Sequence, residues 1–249
     1  MPHQLGHGMS DITISDEGGV RVLRFGTPWV QGAMRLSDPC AIELEYVQQM
    51  MMWMLFKLQP RHIVQLGLGA GALTRFCYRH FPNARISAIE LDPAVIAACS
   101  SMFALPPNDA RLHVVEMDAM AFVENPAHRG TADVLQLDLY DAHARGPVFE
   151  SAGFYQACAD CLAPGGIMTV NLFCDYPDHG KNLEAMERGF EAVAWLPEVH
   201  DGNVVAIAFK DAPSIDFSAL YERAAAIRGE FGLPAESWVD GLQDWMQGA

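Results

Sequence analysis

What this chain lacks narrows its class before any motif is read. It has no apolar run near the ~18 to 20 residues that cross a bilayer. The longest, Met50 to Leu55 with its flanks, is interrupted by Gln48, Gln49 and Lys57. A membrane is therefore not an expected partner. Basic residues are scarce, with 16 Lys and Arg against 31 Asp and Glu, for a formal net charge of -15. A surface of that sign repels phosphate backbones and no local basic patch offsets it, so nucleic acid is not expected either. The same charge attracts cations, polyamines included, although acidity for solubility alone accounts for it equally well. The first residues lack the charged-then-apolar pattern of an export signal, and a cytoplasmic protein is expected. The six cysteines (Cys40, Cys77, Cys99, Cys158, Cys161, Cys174) are scattered through core-like segments, and Cys158-x-x-Cys161 has no second pair and no clustered histidine. They read as reduced, buried small hydrophobes and not as zinc ligands or disulfides.

What is present points to an α/β protein. The 249 residues, 51% of them hydrophobic, suffice for one sizeable core and a small appendage. Residues 1–10 are small and polar and read as a disordered tail. Over residues 11–40, two alternating runs (Asp11 to Ser15 and Val20 to Phe25) flank Asp16-Glu17-Gly18-Gly19, a hairpin pattern. A third extended piece, Trp29 to Met34, completes a small antiparallel sheet. The segment from Ala41 to Leu58 is apolar nearly all round and predicts a helix buried either in this core or against a second subunit. Beyond it, five strands (Ile63–Leu66, Ile86–Ile89, Leu112–Val115, Val134–Leu137, Ile167–Leu172) alternate with helical segments. Repeated βα units call for a parallel sheet wound on both sides. The last pair, Val193–Leu196 and Val204–Phe209 around Asp201-Gly202-Asn203, predicts a closing antiparallel hairpin, and two short helices follow.

The most informative stretch is His62 to Thr74, in which an apolar strand runs into Gly67-x-Gly69-x-Gly71 and then a helix. Glycine lets the backbone turn sharply and approach a ligand, and the helix behind it offers free N–H groups. The spacing alone is weak evidence, because such glycines also occur in ordinary turns. Its partners carry more weight. Glu90 ends the second strand about 20 residues on, where an acid accepts hydrogen bonds from ribose hydroxyls. Asp118, followed by Ala119, lies just past the third strand, where it can meet an adenine amino group, cap a helix, or do both. The fourth strand ends in Asp138-Leu139-Tyr140-Asp141, two carboxylates facing the crevice where ligands of such folds bind. Three acids (Glu90, Asp118, Asp138) thus fall at one sheet edge. His143, a lone loop histidine, reads as solvent-exposed.

At this point the chain resembles the spermidine synthase family. The resemblance runs from about Val20 to Phe209 and rests on an ordered set: Gln31, Tyr46, the Gly67 to Gly71 loop, Ile89-Glu90-Leu91-Asp92, Asp118, Asp138-x-x-Asp141, Gly146-Pro147, Phe154-Tyr155 and Leu162-x-Pro164-Gly165-Gly166. It implies a small β-subdomain ahead of a class I methyltransferase-like Rossmann domain over residues 41–249. It also implies decarboxylated S-adenosylmethionine as donor and a diamine as acceptor. On the matching positions, Glu90 would hold the ribose, Asp118 with Ala119 the adenine, and Gln31 and the glycines the nucleoside. Asp138 would take the proton of the attacking amine, Asp141 would orient the acceptor, and Tyr46 would lie beside it. Three positions depart from the family pattern. Ala70 stands where the glycine loop carries Asp, Val47-Gln48 follow the tyrosine in place of His-Glu or Gln-Glu, and Ala142 replaces the proline after Asp141.

The expected protein is a cytosolic homodimer that moves an alkyl group from a sulfonium donor to an amine or polyamine in one displacement. A carboxylate serves as base and in-line positioning lowers the barrier. The sulfonium supplies its own neutral leaving group, so no metal is called for. Three alternatives stay open on sequence alone: an S-adenosylmethionine-dependent methyltransferase of a small amine, a nicotinamide dehydrogenase, and a non-catalytic regulatory homologue.

Overall fold

Gly18 and Gly19, with φ of 58° and 85°, supply the two left-handed positions of a tight hairpin turn. Around them β1 (Ile12–Glu17) pairs antiparallel with β2 (Val20–Phe25), which pairs with β3 (Gly32–Arg35). This computed structural model describes residues 12–140, 151–173, 179–199 and 202–248. Asp141, Ala142, His143, Gly146-Pro147 and Cys174 lie outside them. The small sheet buries Leu23 and Met34 against Ala70 and Phe103, so it packs directly onto the glycine loop.

The helix expected from Ala41 to Leu58 is broken. It comprises α1 (Glu45–Gln49) and a separate 3-10 turn, Met52–Leu55. The reason lies at Met50, whose carbonyl accepts from the side chains of Gln136 and Thr169. Met54 N–H bonds Met51 instead of Met50, and the i→i−4 ladder stops there. The segment is nonetheless buried as its composition demands, and residues Met50 to Leu55 are at most 4% exposed.

The main sheet has seven strands. They are β4 (His62–Leu66), β5 (Arg85–Glu90), β6 (Leu112–Glu116), β7 (Ala132–Leu137), β8 (Leu162–Phe173), β9 (Ala192–Trp195) and β10 (Asn203–Phe209), in the order β6-β5-β4-β7-β8-β10-β9. The first five run parallel, and β10 lies antiparallel between β8 and β9. Helices α2 (Ala72–His80), α3 (Pro93–Met102), α4 (Ala119–Glu124), α5 (Ala152–Cys161) and α6 (His179–Glu187) alternate with the strands, and α7 (Phe217–Phe231) and α8 (Ala235–Gly248) finish the chain. From β4 the chain steps to β5 and β6 on one side and then returns to β7 and β8 on the other. That reversal opens a crevice at the carboxyl ends of β4 and β7. Cys77, Cys99, Cys158 and Cys161 are buried free thiols and Cys40 is a partly exposed one. Among the described residues no helix is long and apolar enough to cross a membrane.

Candidate active site

The crevice is floored by the loop after β4. Gly67, Gly69 and Gly71 all have positive φ (93°, 51° and 71°), and Gly71 caps α2 from the left-handed region. A side chain at Gly67 would collide with the carbonyl oxygen of Asp138, and one at Gly69 would lie 3.0 Å from that of Gln31. The glycines therefore allow three chain segments to meet: the loop itself, the start of β3, and the end of β7. Gln31 donates its backbone N–H to Leu23 (2.8 Å) and its side chain is half-buried.

Glu90, at the end of β5, grips the same loop. Its Oε2 accepts from Leu68 N–H (3.0 Å) and its Oε1 from Asp92 N–H (2.9 Å). Burial raises its pKa, and these backbone donors work against that shift. Each carboxylate oxygen has two lone pairs, so both can still accept from a diol. Asp118, just past β6, caps α4, with Oδ1 accepting from Ala121 N–H at 2.9 Å. Ala119 is the first residue of that helix and is buried.

Asp138 follows β7 directly and its N–H bonds Leu66 (2.9 Å), which extends the β4–β7 pairing to the edge of the crevice. Its Oδ1 accepts from Asn171 Nδ2 at 3.0 Å, and its Oδ2 from the hydroxyl of Tyr46 at 3.5 Å. Burial pushes the Asp138 carboxyl up to about 6, with the Asn171 and Tyr46 donors holding it lower than burial alone would. Burial and the Asp138 charge together push Tyr46 well above the usual phenol range. Tyr46 and Asp138 are 92 residues apart in sequence, and the structure brings them together with the glycine loop and Glu90. Asp141 lies outside the described residues.

Sequence reasoning missed two residues. Asn171 is 1% exposed, and its buried Oδ1, beside the Asp138 carboxylate, has no hydrogen-bond partner among the described residues. The available signal was the polar Thr169-x-Asn171 spacing inside an apolar strand, which puts two polar groups on one face. Arg75 is also 1% exposed and donates to the carbonyls of Pro39, Ala70 and Phe103, so one guanidinium ties the glycine loop to the approach of α1 and the end of α3. A lone arginine on a helix carries no such signal. The departure at position 70 is built into the packing. A Cβ at Gly32 would come within 2.5 Å of the Ala70 Cβ, and Leu23, Met34 and Phe103 close the remaining space. Among the described residues no group of three or more His, Cys, Asp or Glu side chains could hold a metal ion.

Residues 43–179 match the family model of the spermine/spermidine synthase domain. A polyamine aminopropyltransferase of Chromobacterium violaceum is 32% identical over 241 residues, covering 96% of this chain and 92% of the relative. Among solved structures, a probable spermidine synthase from Corynebacterium glutamicum superposes with a TM-score of 0.73 at 21% identity, covering 93% and 91% of the two chains. Human methyltransferase-like protein 13, solved with SAH, gives 0.67 at 23% identity, covering 75% and 92%. Both structures share the fold. With the family domain over more than half its length and a curated relative aligned almost end to end, the chain belongs to the spermine/spermidine synthase family.

Proposed function

We propose that this chain transfers an aminopropyl group from decarboxylated S-adenosylmethionine to a small cationic amine or polyamine, with Asp138 as the base. The observation that carries this reading is the Asp138 carboxylate, held between Tyr46 and Asn171 at the mouth of the glycine loop with a pKa near 6. A carboxyl in that range is ionised at neutral pH and still basic enough to receive a proton. Asp138 takes a proton from the acceptor nitrogen as its lone pair forms the new bond to carbon. The carbon–sulfur bond breaks, its electron pair stays on sulfur, and a neutral thioether leaves. The unpartnered Oδ1 of Asn171 offers a second acceptor for the amine's N–H groups. Glu90 takes the ribose hydroxyls, and Asp118 keeps Oδ2 for the adenine while Oδ1 caps α4. The β-subdomain over residues 11–40 covers the nucleoside through Gln31, whose carbonyl lies against Gly69. Asp141 orients the acceptor.

The 32% identity to an aminopropyltransferase along nearly the whole chain favours this reaction over methyl transfer. The test is direct: the wild-type protein, decarboxylated S-adenosylmethionine and a panel of diamines should yield methylthioadenosine and the extended polyamine. A methylated amine from S-adenosylmethionine at a higher rate would replace this reading with the methyltransferase one. We also propose a cytoplasmic homodimer. The Met50 to Leu55 segment is buried in the chain's own core and is not available to a second subunit. Among the described residues, Trp29 and Leu36, 44% and 40% exposed on either side of β3, are two of six exposed large hydrophobics and offer a second copy an apolar surface on the small sheet.

A further inference from the structure

Gln65, Gln136 and Thr169 form one row across three neighbouring central strands, Gln65 opposite Gln136 and Gln136 opposite Thr169. None is more than 1% exposed. Amides and hydroxyls this deep cost free energy unless every polar atom is matched, and here they are matched in sequence. Thr74, on the first turn of α2, donates to Gln65 Oε1 (2.7 Å), and Gln65 Nε2 donates to Gln136 Oε1 (2.9 Å). Gln136 Nε2 (3.2 Å) and Thr169 Oγ1 (3.0 Å) then donate to the carbonyl of Met50, at the C-terminal end of α1.

Side chains two residues apart on a strand share a face, so Asn171 lies on the face of Thr169 and meets Asp138, two residues past Gln136, at 3.0 Å. Tyr46 stands one helical turn before Met50, whose N–H bonds the Tyr46 carbonyl at 2.9 Å. Helix α1 is therefore tied to the sheet twice, by Met50 to the glutamine row and by Tyr46 to Asp138. Packing among Met50, Met51 and Met52 would tolerate small slides of this five-residue helix. Directional hydrogen bonds to a backbone carbonyl do not. At 3.5 Å the Tyr46–Asp138 bond sits at the limit where a small slide makes or breaks it.

We infer that Gln136 and Thr169 are positioning residues that act through the Met50 carbonyl to seat the Tyr46 hydroxyl on Asp138. The inference rests on the reading of Asp138 as base. Among the described residues, the groups that bond the Asp138 carboxylate are Tyr46 from α1 and Asn171 from β8. Loss of the Tyr46 bond removes one of the two donors that lower the Asp138 pKa. Displacing α1 should therefore move the ionisation of Asp138 to higher pH, in the same direction as Tyr46→Phe.

The experiment compares Gln136→Met, Thr169→Val, their combination and Tyr46→Phe with wild type. The Asp138 midpoint is read by carbon-13 NMR of labelled aspartate, and the acid limb of kcat/KM for the amine is read in parallel. The combined variant should raise both midpoints, lower kcat by about tenfold, within the roughly 100-fold that an ångström-scale misplacement costs, and leave donor KM unchanged. In a Tyr46→Phe background the same changes should add nothing. The inference is overturned if Gln136→Met, or Thr169→Val should the former not fold, keeps the wild-type Asp138 midpoint. A wild-type protein that does not turn over, but whose midpoint moves in the variants, would overturn the proposed reaction and leave the positioning intact.

Discussion

Asp138→Asn should make this protein more stable and nearly inactive at once. The folded protein holds the Asp138 carboxyl at about 6, above the ordinary aspartate value of 3.8. A carboxyl with a raised folded pKa binds its proton more tightly when folded. Wild-type stability therefore falls as pH rises through the interval from 3.8 to about 6 and is level above it. At 1.36 kcal/mol per pH unit across that interval, the ionised carboxylate costs the fold up to about 3 kcal/mol at neutral pH. Asparagine carries no such cost. It keeps the shape, its Oδ1 can accept from Tyr46, and its amide can donate to the unpartnered Oδ1 of Asn171 if that amide turns over. Urea denaturation of both proteins across a pH series reads the difference. The advantage of Asp138→Asn should grow by about 1.5 kcal/mol from about pH 5 to about pH 8. Turnover should fall by about 100-fold or more with donor binding retained, because no group at that place can take the amine's proton. A variant no more stable than wild type at pH 8, with a pH-independent difference, would show that burial does not penalise this carboxylate and would remove the argument for its role.

Glu90→Gln keeps the grip on Leu68 but loses the charge, and should weaken methylthioadenosine binding by ~1.5 to 3 kcal/mol in calorimetry; unchanged affinity would take Glu90 out of the site. Gly67→Ala places a methyl against the Asp138 carbonyl at φ of 93° and should destabilise the fold by at least the ~1 to 3 kcal/mol of a strained backbone, read as a lower Tm. Ala70→Asp buries a carboxylate among Gly32, Leu23, Met34 and Phe103 and should lower the denaturation midpoint more than it changes donor preference, which competitive binding of both donors would check. Light scattering at micromolar concentration should give twice the 27.3 kDa chain mass; a monomer would refute the proposed dimer.

Much of the architecture was legible in the chain alone, for local physical reasons. Strand-to-helix alternation has its own periods, 2 and 3.6, and Gly18-Gly19 and the Gly67 to Gly71 loop announce backbone shapes that other residues resist. Glu90, Asp118 and Asp138 could be set at one edge of the sheet by counting strand ends, since parallel strands share a direction. Tertiary contacts decided what local pattern could not. Nothing near Met50 in sequence warns that Gln136 and Thr169, 86 and 119 residues away, will take its carbonyl and cut an otherwise good helix short. Composition likewise left open whether the Met50 to Leu55 segment is buried in this core or against a second subunit, and only the tertiary structure placed it in the chain's own core. The third face of Asp138 was equally out of reach. Asn171 becomes its partner because β8 lies beside β7 in register, and Tyr46 because a short helix is pinned across both strands. A carboxylate can be located by sequence; its pKa depends on desolvation and on donors that only the packed structure brings within 3.5 Å.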